Sequence, residues 1–304
     1  MTDRVSVGFV GLGNMGVPMS TRLIRAGYPV SGYDVSPVAR NALANAGGSP
    51  IDTLGSLVEG ADVIILMLPN SRVVEQVTSD PSFRAGLRPG LTIIDMGSSD
   101  PLATRALADD LARHDVKLVD APVSGGVRGA VAGTLTVMVG GADDDVTPLT
   151  ETLGHLGRVV RTGDVGSGHA VKALNNLLSA THLWATSEAV VAAQRFGIPP
   201  RVFLDVLNGS SGRSGSTENK WPNFILPGTY DSGFGLRLML KDMHIATGLA
   251  GALGAPTALG EFATERWSIA ADDLPLDADH TEIARWIADH VAATVSGGSR
   301  DGSE

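Results

Sequence analysis

Along the first half of the chain, short apolar runs alternate with stretches in which apolar positions recur every three or four residues. The runs fall at 4–10, 29–34, 62–67, 91–95, 116–120, 135–139 and 157–161, and read as strands. Helical periods lie between most of them, at 15–26, 36–46, 71–78, 100–113 and 143–153. Strands apolar on both faces, alternating with helices, predict a parallel, doubly wound sheet. The run at 134–139 follows its predecessor without a long crossover, which predicts a mixed edge.

After Gly163 the strand pattern stops. Residues 168–196 read as one long helix with almost no polar face, carrying Ala170, Val171, Leu174, Leu177, Leu178, Ala180, Leu183, Trp184, Ala189, Val190 and Val191. A helix apolar nearly all round is expected to be buried on most sides. Its length suits a link between two domains or two subunits. Further helical periods appear at 200–207, 235–253, 256–271 and 280–294, and 208–216 reads as a flexible loop of turn formers. The expected division is 1–163, a sheet domain, 164–296, a helical domain for substrate binding and oligomerisation, and 297–304, a disordered tail.

Composition narrows the classes. The chain has 304 residues, enough for two domains, with 43% hydrophobic and 18% charged residues, a globular balance. It contains no cysteine, so disulfides, thiolate catalysis and cysteine zinc sites are excluded. The seven histidines show no metal-ligand spacing, so no metal is expected. A net charge of −10 without a Lys/Arg cluster argues against nucleic acid. The longest apolar run, 63–69, is too short to span a bilayer, and the first residues resemble no signal peptide. The expectation is a cytoplasmic protein with no membrane partner.

The chemistry begins at Gly11-Leu12-Gly13-Asn14-Met15-Gly16, directly behind an apolar run and ahead of a helical period. In that context a GxGxxG loop suits a dinucleotide pyrophosphate: a tight turn, a close backbone approach and a helix N-terminus facing the anion. Asp34 ends the next strand, 18 residues after Gly16, where a carboxylate can accept from ribose hydroxyls and repel a 2′-phosphate. This favours NAD over NADP. Leu68-Pro69-Asn70 and Asp95-Met96-Gly97-Ser98-Ser99 fall at strand C-termini, and each reads equally as a ligand loop or an ordinary turn. By residue type alone, Lys241-Asp242 reads as exposed charges, His169 as a helix-start residue, and Trp184 and Trp267 as core.

Four motifs together resemble the β-hydroxyacid dehydrogenase family, in its 3-hydroxyisobutyrate dehydrogenase and tartronate semialdehyde reductase group. They are Gly8 through Gly16, Asp120-Ala121-Pro122-Val123-Ser124-Gly125-Gly126-Val127-Arg128-Gly129-Ala130, Gly168 through Asn176, and Leu240-Lys241-Asp242-Met243. The resemblance implies an α/β chain with an N-terminal Rossmann-type sheet, an all-helical C-terminal domain joined by the long helix, and NAD-dependent hydride transfer to or from a small 3-hydroxy acid. It implies Lys172 as general acid/base, Asn176 as its partner, Ser124, Gly125 and Gly126 as substrate-binding residues, and Lys241 at the cofactor or substrate. Gly11 to Gly16, Asp34, Leu68, Pro69 and Ser98 complete the cofactor set, although relatives often carry a threonine where Ser98 stands.

The residues fit these roles. Oxidising an alcohol needs a base for the O–H proton, and burying a lysine favours its neutral, proton-accepting form. A lysine snorkelling from a surface is the plain alternative. Asn176 lies at i+4 from Lys172, but Asn175, at i+3, is also near. Successive glycines after Ser124 can present N–H groups to a carboxylate, or form a tight turn before a helix. A homodimer or homotetramer is expected from the long apolar helix. An imine reductase is a competing reading that Lys172 opposes, and a non-catalytic dinucleotide sensor or scaffold is a further one.

Overall fold

The computed structural model describes residues 4–297. The strands are β1 (Val7–Val10), β2 (Val30–Tyr33), β3 (Ser49–Pro50), β4 (Val63–Leu66), β5 (Thr92–Asp95), β6 (Lys117–Asp120), β7 (Val123–Ser124), β8 (Leu135–Gly140) and β9 (Gly157–Gly163). Between them lie α1 (Gly16–Arg25), α2 (Pro37–Asn45), α3 (Leu54–Gly60), α4 (Ser71–Thr78), α5 (Pro81–Ala85), α6 (Pro101–Ala112), α7 (Gly126–Ala132), α8 (Asp143–Val146) and α9 (Thr150–Gly154). The helical half comprises α10 (Ser167–Phe196), α11 (Pro200–Asn208), a π-helical run (Ser216–Ile225), α12 (Leu236–Ala252), α13 (Ala258–Asp273) and α14 (Ile283–Gly297).

The chain divides into two compact units, Met1–Lys172 and Ala173–Glu304, and α10 runs from the first into the second. In the first unit the sheet order is β3-β2-β1-β4-β5-β6-β8-β7, with β9 beside β8. The six strands from β3 to β6 are parallel. β8 runs antiparallel to β6 and β7 and parallel to β9, so the expected mixed edge is present. β1 and β4, fully buried along their length, sit side by side where the strand order reverses. Ligands of open α/β sheets bind beyond strand C-termini at that switch point. One core cluster gathers Phe9, Leu12, Met19, Leu23 and Ile65, and the other gathers Leu57, Val58, Ile64, Phe83 and Ile93. Alternate residues of β4, Ile64 and Ile65, thus serve opposite faces, as a doubly covered strand requires.

In the second unit the core surrounds Trp267, with Leu183, Val190, Leu236, Met243 and Ile283 packed about it. α10 is less enclosed than its composition suggests. Val171, Leu174 and Leu178 are 40, 42 and 58% exposed, while Ala173, Ala180, Leu183 and Val190 are buried. The loop expected at 208–216 ends at Ser216, where the π-helical run begins and continues past Pro222. Pro222 has no N–H to give the Thr217 carbonyl five residues back, which accepts from Asn208 Nδ2 at 3.2 Å instead, while Leu226 N makes the regular π-helical bond to Trp221 O. Apart from Gly297, the tail expected at 297–304 lies outside the described residues. Among the described residues, no helix is long and apolar enough to cross a membrane.

Candidate active site

The glycine loop stands at the C-terminal end of β1. A Cβ on Gly16 would lie 2.0 Å from the Gly11 carbonyl oxygen, so the loop folds back on the helix start and only glycine fits. A Cβ on Gly13 would meet nothing within 4 Å, which leaves open space beside that backbone. Met15, at the N-terminal cap of α1, supplies no side-chain hydrogen bond; in the first turn Val17 N donates to Gly13 O at 3.2 Å and Pro18 has no N–H, so the end of the helix and the open backbone at Gly13 face an incoming group. The loop therefore fits a pyrophosphate.

Asp34 follows β2 directly. Its Oδ2 accepts from Leu12 N at 2.7 Å and its Oδ1 from Ser36 N at 2.8 Å, which ties the strand end to the glycine loop. Arg40, a residue that motif reading passed over, donates from Nη1 to the Asp34 carbonyl at 2.6 Å. It approaches from α2, too far along the chain for a strand-end pattern to reveal it. Leu68 and Pro69 follow β4, and the Leu68 carbonyl oxygen would lie 2.5 Å from a Cβ on Gly97. This packs the β4 loop against the β5 loop that carries half-buried Ser98. The candidate cofactor residues of the sheet unit thus collect at the C-terminal ends of β1, β2, β4 and β5. A cavity of about 340 Å³ between α4 and α6 is lined by Val74, Glu75, Asp95, Ser99 and Thr104, and by none of those cofactor residues.

Ser124 ends β7 at the mixed edge. Gly125 and Gly126 then take φ values of +130° and +61°, a region that side chains strongly disfavour. A Cβ on Gly126 would meet no atom within 4 Å, so its backbone faces open space.

α10 starts against β6. Asp120 Oδ1 accepts from Gly166 N at 2.6 Å, and its Oδ2 accepts from His169 N at 2.8 Å. Asp120 therefore caps the helix that carries Lys172. Burial pushes its carboxyl above the ordinary range, and His169 with the two backbone donors opposes that rise. His169 is not a plain helix-start residue. It is 1% exposed, with Nδ1 2.8 Å from Thr104 Oγ1 and Nε2 3.8 Å from Asp95 Oδ2. Lys172 is half-buried.

One turn beyond Lys172, Asn176 is buried and donates from Nδ2 to Asp242 Oδ2 at 2.6 Å. Asn175 is exposed, and its Nδ2 donates to Asn176 Oδ1 at 3.2 Å. Asp242 Oδ1 lies 2.8 Å from Lys241 Nζ. Residue type alone makes Lys241 and Asp242 exposed charges, and the structure corrects this: Asp242 is 1% exposed and Lys241 is half-buried. Position 242 falls on the core-facing side of α12 with Met239, Met243 and Ala246, a helical period that could have exposed it.

Residues 6–166 match the family described as the NAD binding domain of 6-phosphogluconate dehydrogenase. Residues 166–287 match the family described as NAD-binding of NADP-dependent 3-hydroxyisobutyrate dehydrogenase. The chain is 38% identical over 271 residues to the mitochondrial 3-hydroxyisobutyrate dehydrogenase of Homo sapiens, covering 86% of this chain and 81% of the relative. It is 35% identical to the 2-(hydroxymethyl)glutarate dehydrogenase of Eubacterium barkeri, covering 81% and 82%. The solved structure of Mycobacterium tuberculosis 3-hydroxyisobutyrate dehydrogenase with L-serine superposes with a TM-score of 0.87 at 32% identity, covering 93% of this chain and 99% of that one. Fold and loop define a nicotinamide-dependent oxidoreductase. The chain belongs to the β-hydroxyacid dehydrogenase family, whose reaction is hydride transfer between NAD and a 3-hydroxy acid.

Proposed function

We propose that this enzyme interconverts a small 3-hydroxy acid and its semialdehyde, with Lys172 as the proton-transfer group and a 3-hydroxyisobutyrate-like or tartronate-semialdehyde-derived substrate. The observation that carries the reading is the Asn176–Asp242–Lys241 chain of contacts, which fixes a buried amide one helical turn from Lys172. NAD held by the glycine loop and Asp34 would supply the hydride acceptor for the hydroxyl-bearing carbon. As that C–H bond breaks, the O–H proton passes to Lys172 Nζ and the C–O bond becomes a carbonyl. Asn176 orients the substrate oxygen. Ser124 Oγ and the backbone N–H groups of Gly125 and Gly126 hold the carboxylate. Gly11 to Gly16 take the pyrophosphate, Asp34 the adenosine ribose, Leu68, Pro69 and Ser98 line the cofactor, and Lys241 contacts the cofactor or substrate.

NAD is preferred over NADP because the Asp34 carboxylate would face a 2′-phosphate. The substrates named for the two curated relatives share a hydroxymethyl group beside a carboxylate, and the proposal commits to that shared part. The exposed apolar residues Val171, Leu174 and Leu178 support a homodimer or homotetramer built on α10.

The test is Lys172→Ala, assayed with NAD and 3-hydroxyisobutyrate. Turnover should fall by about a hundredfold or more, the usual scale for a lost general base, while NADH affinity by fluorescence titration stays within about threefold. Wild-type turnover in the variant would overturn the assignment.

A further inference from the structure

The cavity between α4 and α6 lies wholly within the sheet unit. Its volume of about 340 Å³ leaves room for about ten non-hydrogen atoms at roughly 30 Å³ each, the low end of small-molecule sites. Its floor is Asp95, Ser99 and Thr104, which are 2, 3 and 4% exposed. Val74 and half-buried Leu107 supply an apolar wall, and exposed Glu75 and Ala103 stand at the rim.

That floor presents lone pairs and has no hydrogen to spare. Ser99 Oγ gives its hydrogen to Asp95 Oδ2 at 2.7 Å, and Thr104 Oγ1 donates to the Asp100 carbonyl at 2.9 Å. Asp95 Oδ1 accepts from Gly97 N at 2.9 Å. A carboxylate offers about four lone-pair sites, so about two stay open on Asp95. Among the described residues, the basic group nearest to it is the His169 ring, whose Nε2 stands 3.8 Å from Asp95 Oδ2. That is beyond hydrogen-bond reach, and Nε2 is itself buried without a hydrogen-bond partner. A buried carboxylate with open acceptor sites is costly unless a cation completes it. The cavity lining has none to offer: Arg84, its one basic residue among those described, is paired with Asp110, and Glu75 adds a further carboxylate.

We infer that this cavity is a binding site for a small organic cation, a primary ammonium seated on Asp95 and carried by an apolar body against Val74 and Leu107. The ammonium brings the hydrogens that the floor lacks and the positive charge that Asp95 and Glu75 lack. A body of about six carbons fills the volume that remains. An anionic ligand would meet both carboxylates, and Arg84 could receive it only by giving up Asp110. None of the candidate cofactor residues lines the cavity, so the cation and a dinucleotide occupy separate places.

The experiment is calorimetric titration of the full-length enzyme at neutral pH with hexylammonium, hexanol and hexanoate, three probes with one body and different charge. Hexylammonium should bind about tenfold or more tightly than hexanol, the scale of a hydrogen bond to a charged group, and hexanoate more weakly still. Asp95→Asn should erase the advantage of the ammonium over the alcohol. Because that change also disturbs the bonds to Gly97 and Ser99, a second variant works from the rim. Ala103→Trp fills the cavity from an exposed position and should weaken hexylammonium by about tenfold or more, with the fold checked by circular dichroism. Saturating NADH should leave hexylammonium affinity within about threefold. Displacement by NADH would put the amine in the dinucleotide site and overturn the proposal. Equal affinity for amine and alcohol, tighter binding of hexanoate, undiminished binding in Ala103→Trp, or no binding of hexylammonium at millimolar concentration would each overturn it as well.

Discussion

Asn176 and Asp242 are joined by a 2.6 Å hydrogen bond in which the amide donates to a carboxylate that is 1% exposed. The other oxygen of that carboxylate serves Lys241 at 2.8 Å. One buried anion therefore positions both an amide on α10 and a cation on its own helix, α12. The carbonyl oxygen of the fixed amide accepts from Asn175 Nδ2 at 3.2 Å.

Asp242→Asn keeps the shape but halves the capacity. Asn176 Nδ2 and Lys241 Nζ sit on different oxygens of Asp242, so in the amide one of them would face an NH2 donor instead of an acceptor. We expect kcat to fall at least tenfold, with stability reduced by about 1–2 kcal/mol in urea denaturation. Asp242→Ala should cost about 2–4 kcal/mol, because it leaves buried donors unpaired. A variant with wild-type kcat would show that Asn176 needs no such anchor.

We expect cofactor preference to turn on Asp34. Its side chain also holds Leu12 N and Ser36 N, so removal loosens the loop as well as lifting the repulsion of a 2′-phosphate. Val35 is 84% exposed and can carry a cation without repacking. Wild type should prefer NAD in kcat/KM, and Asp34→Ser with Val35→Arg should shift that ratio toward NADP by about tenfold or more. Preference for NADP in the wild type would mean that Arg40, already beside the strand end, governs this site instead.

The sheet was legible because β1, β4 and β5 are buried on both faces; β1 and β4 therefore read as apolar runs, and β5 has Ile93 and Ile94 at its centre. α3, α5 and α7, of seven, five and seven residues, are too short to display a helical period and were not visible. β3 and β7, of two residues each, escape for the same reason. Loop motifs around Gly11 to Gly16 and Gly125-Gly126 were legible because backbone geometry there demands glycine. Asp120, His169 and Lys220 act through partners 41 to 65 residues away, at Gly166 and His169, at Thr104, and at Ser179. Sequence periodicity carries no trace of such pairings.

The helical unit has its own pH-sensitive joint. Burial alone would raise the Asp279 carboxyl, but hydrogen bonds with His280 and Thr281 outweigh it and hold Asp279 well below the ordinary carboxylate range. Ser232 Oγ, Gly233 N and Thr281 N also donate to it. A carboxyl with a depressed folded-state pKa stabilises above its unfolded value and loses that contribution as pH falls through the folded one. Asp279→Ala should therefore cost about 2–3 kcal/mol at pH 7. The gap to wild type should narrow as pH drops below about 4. Urea denaturation of both proteins between pH 7 and pH 3.5 measures it, and a constant gap would show that Asp279 titrates normally.

The carboxylate grip offers the sharpest separation of substrate from cofactor effects. Gly125 has φ +130°, and a Cβ there would already stand 3.2 Å from Leu135 Cδ2. Gly125→Val is thus strained in backbone and side chain alike, and it should displace the N–H donors proposed to hold the substrate anion. The dinucleotide loop belongs to another strand end and should be spared. NADH affinity should stay within about threefold, while kcat/KM for 3-hydroxyisobutyrate falls by about 2–3 kcal/mol of transition-state binding, or roughly thirty- to a hundred-and-sixtyfold. The methyl ester lacks the charge those donors hold, so the wild type should use it less well by a similar factor. On the ester, the variant should lose much less than on the acid. Equal wild-type efficiency on acid and ester would remove Ser124, Gly125 and Gly126 from carboxylate recognition and leave the glycine pair as a turn before α7.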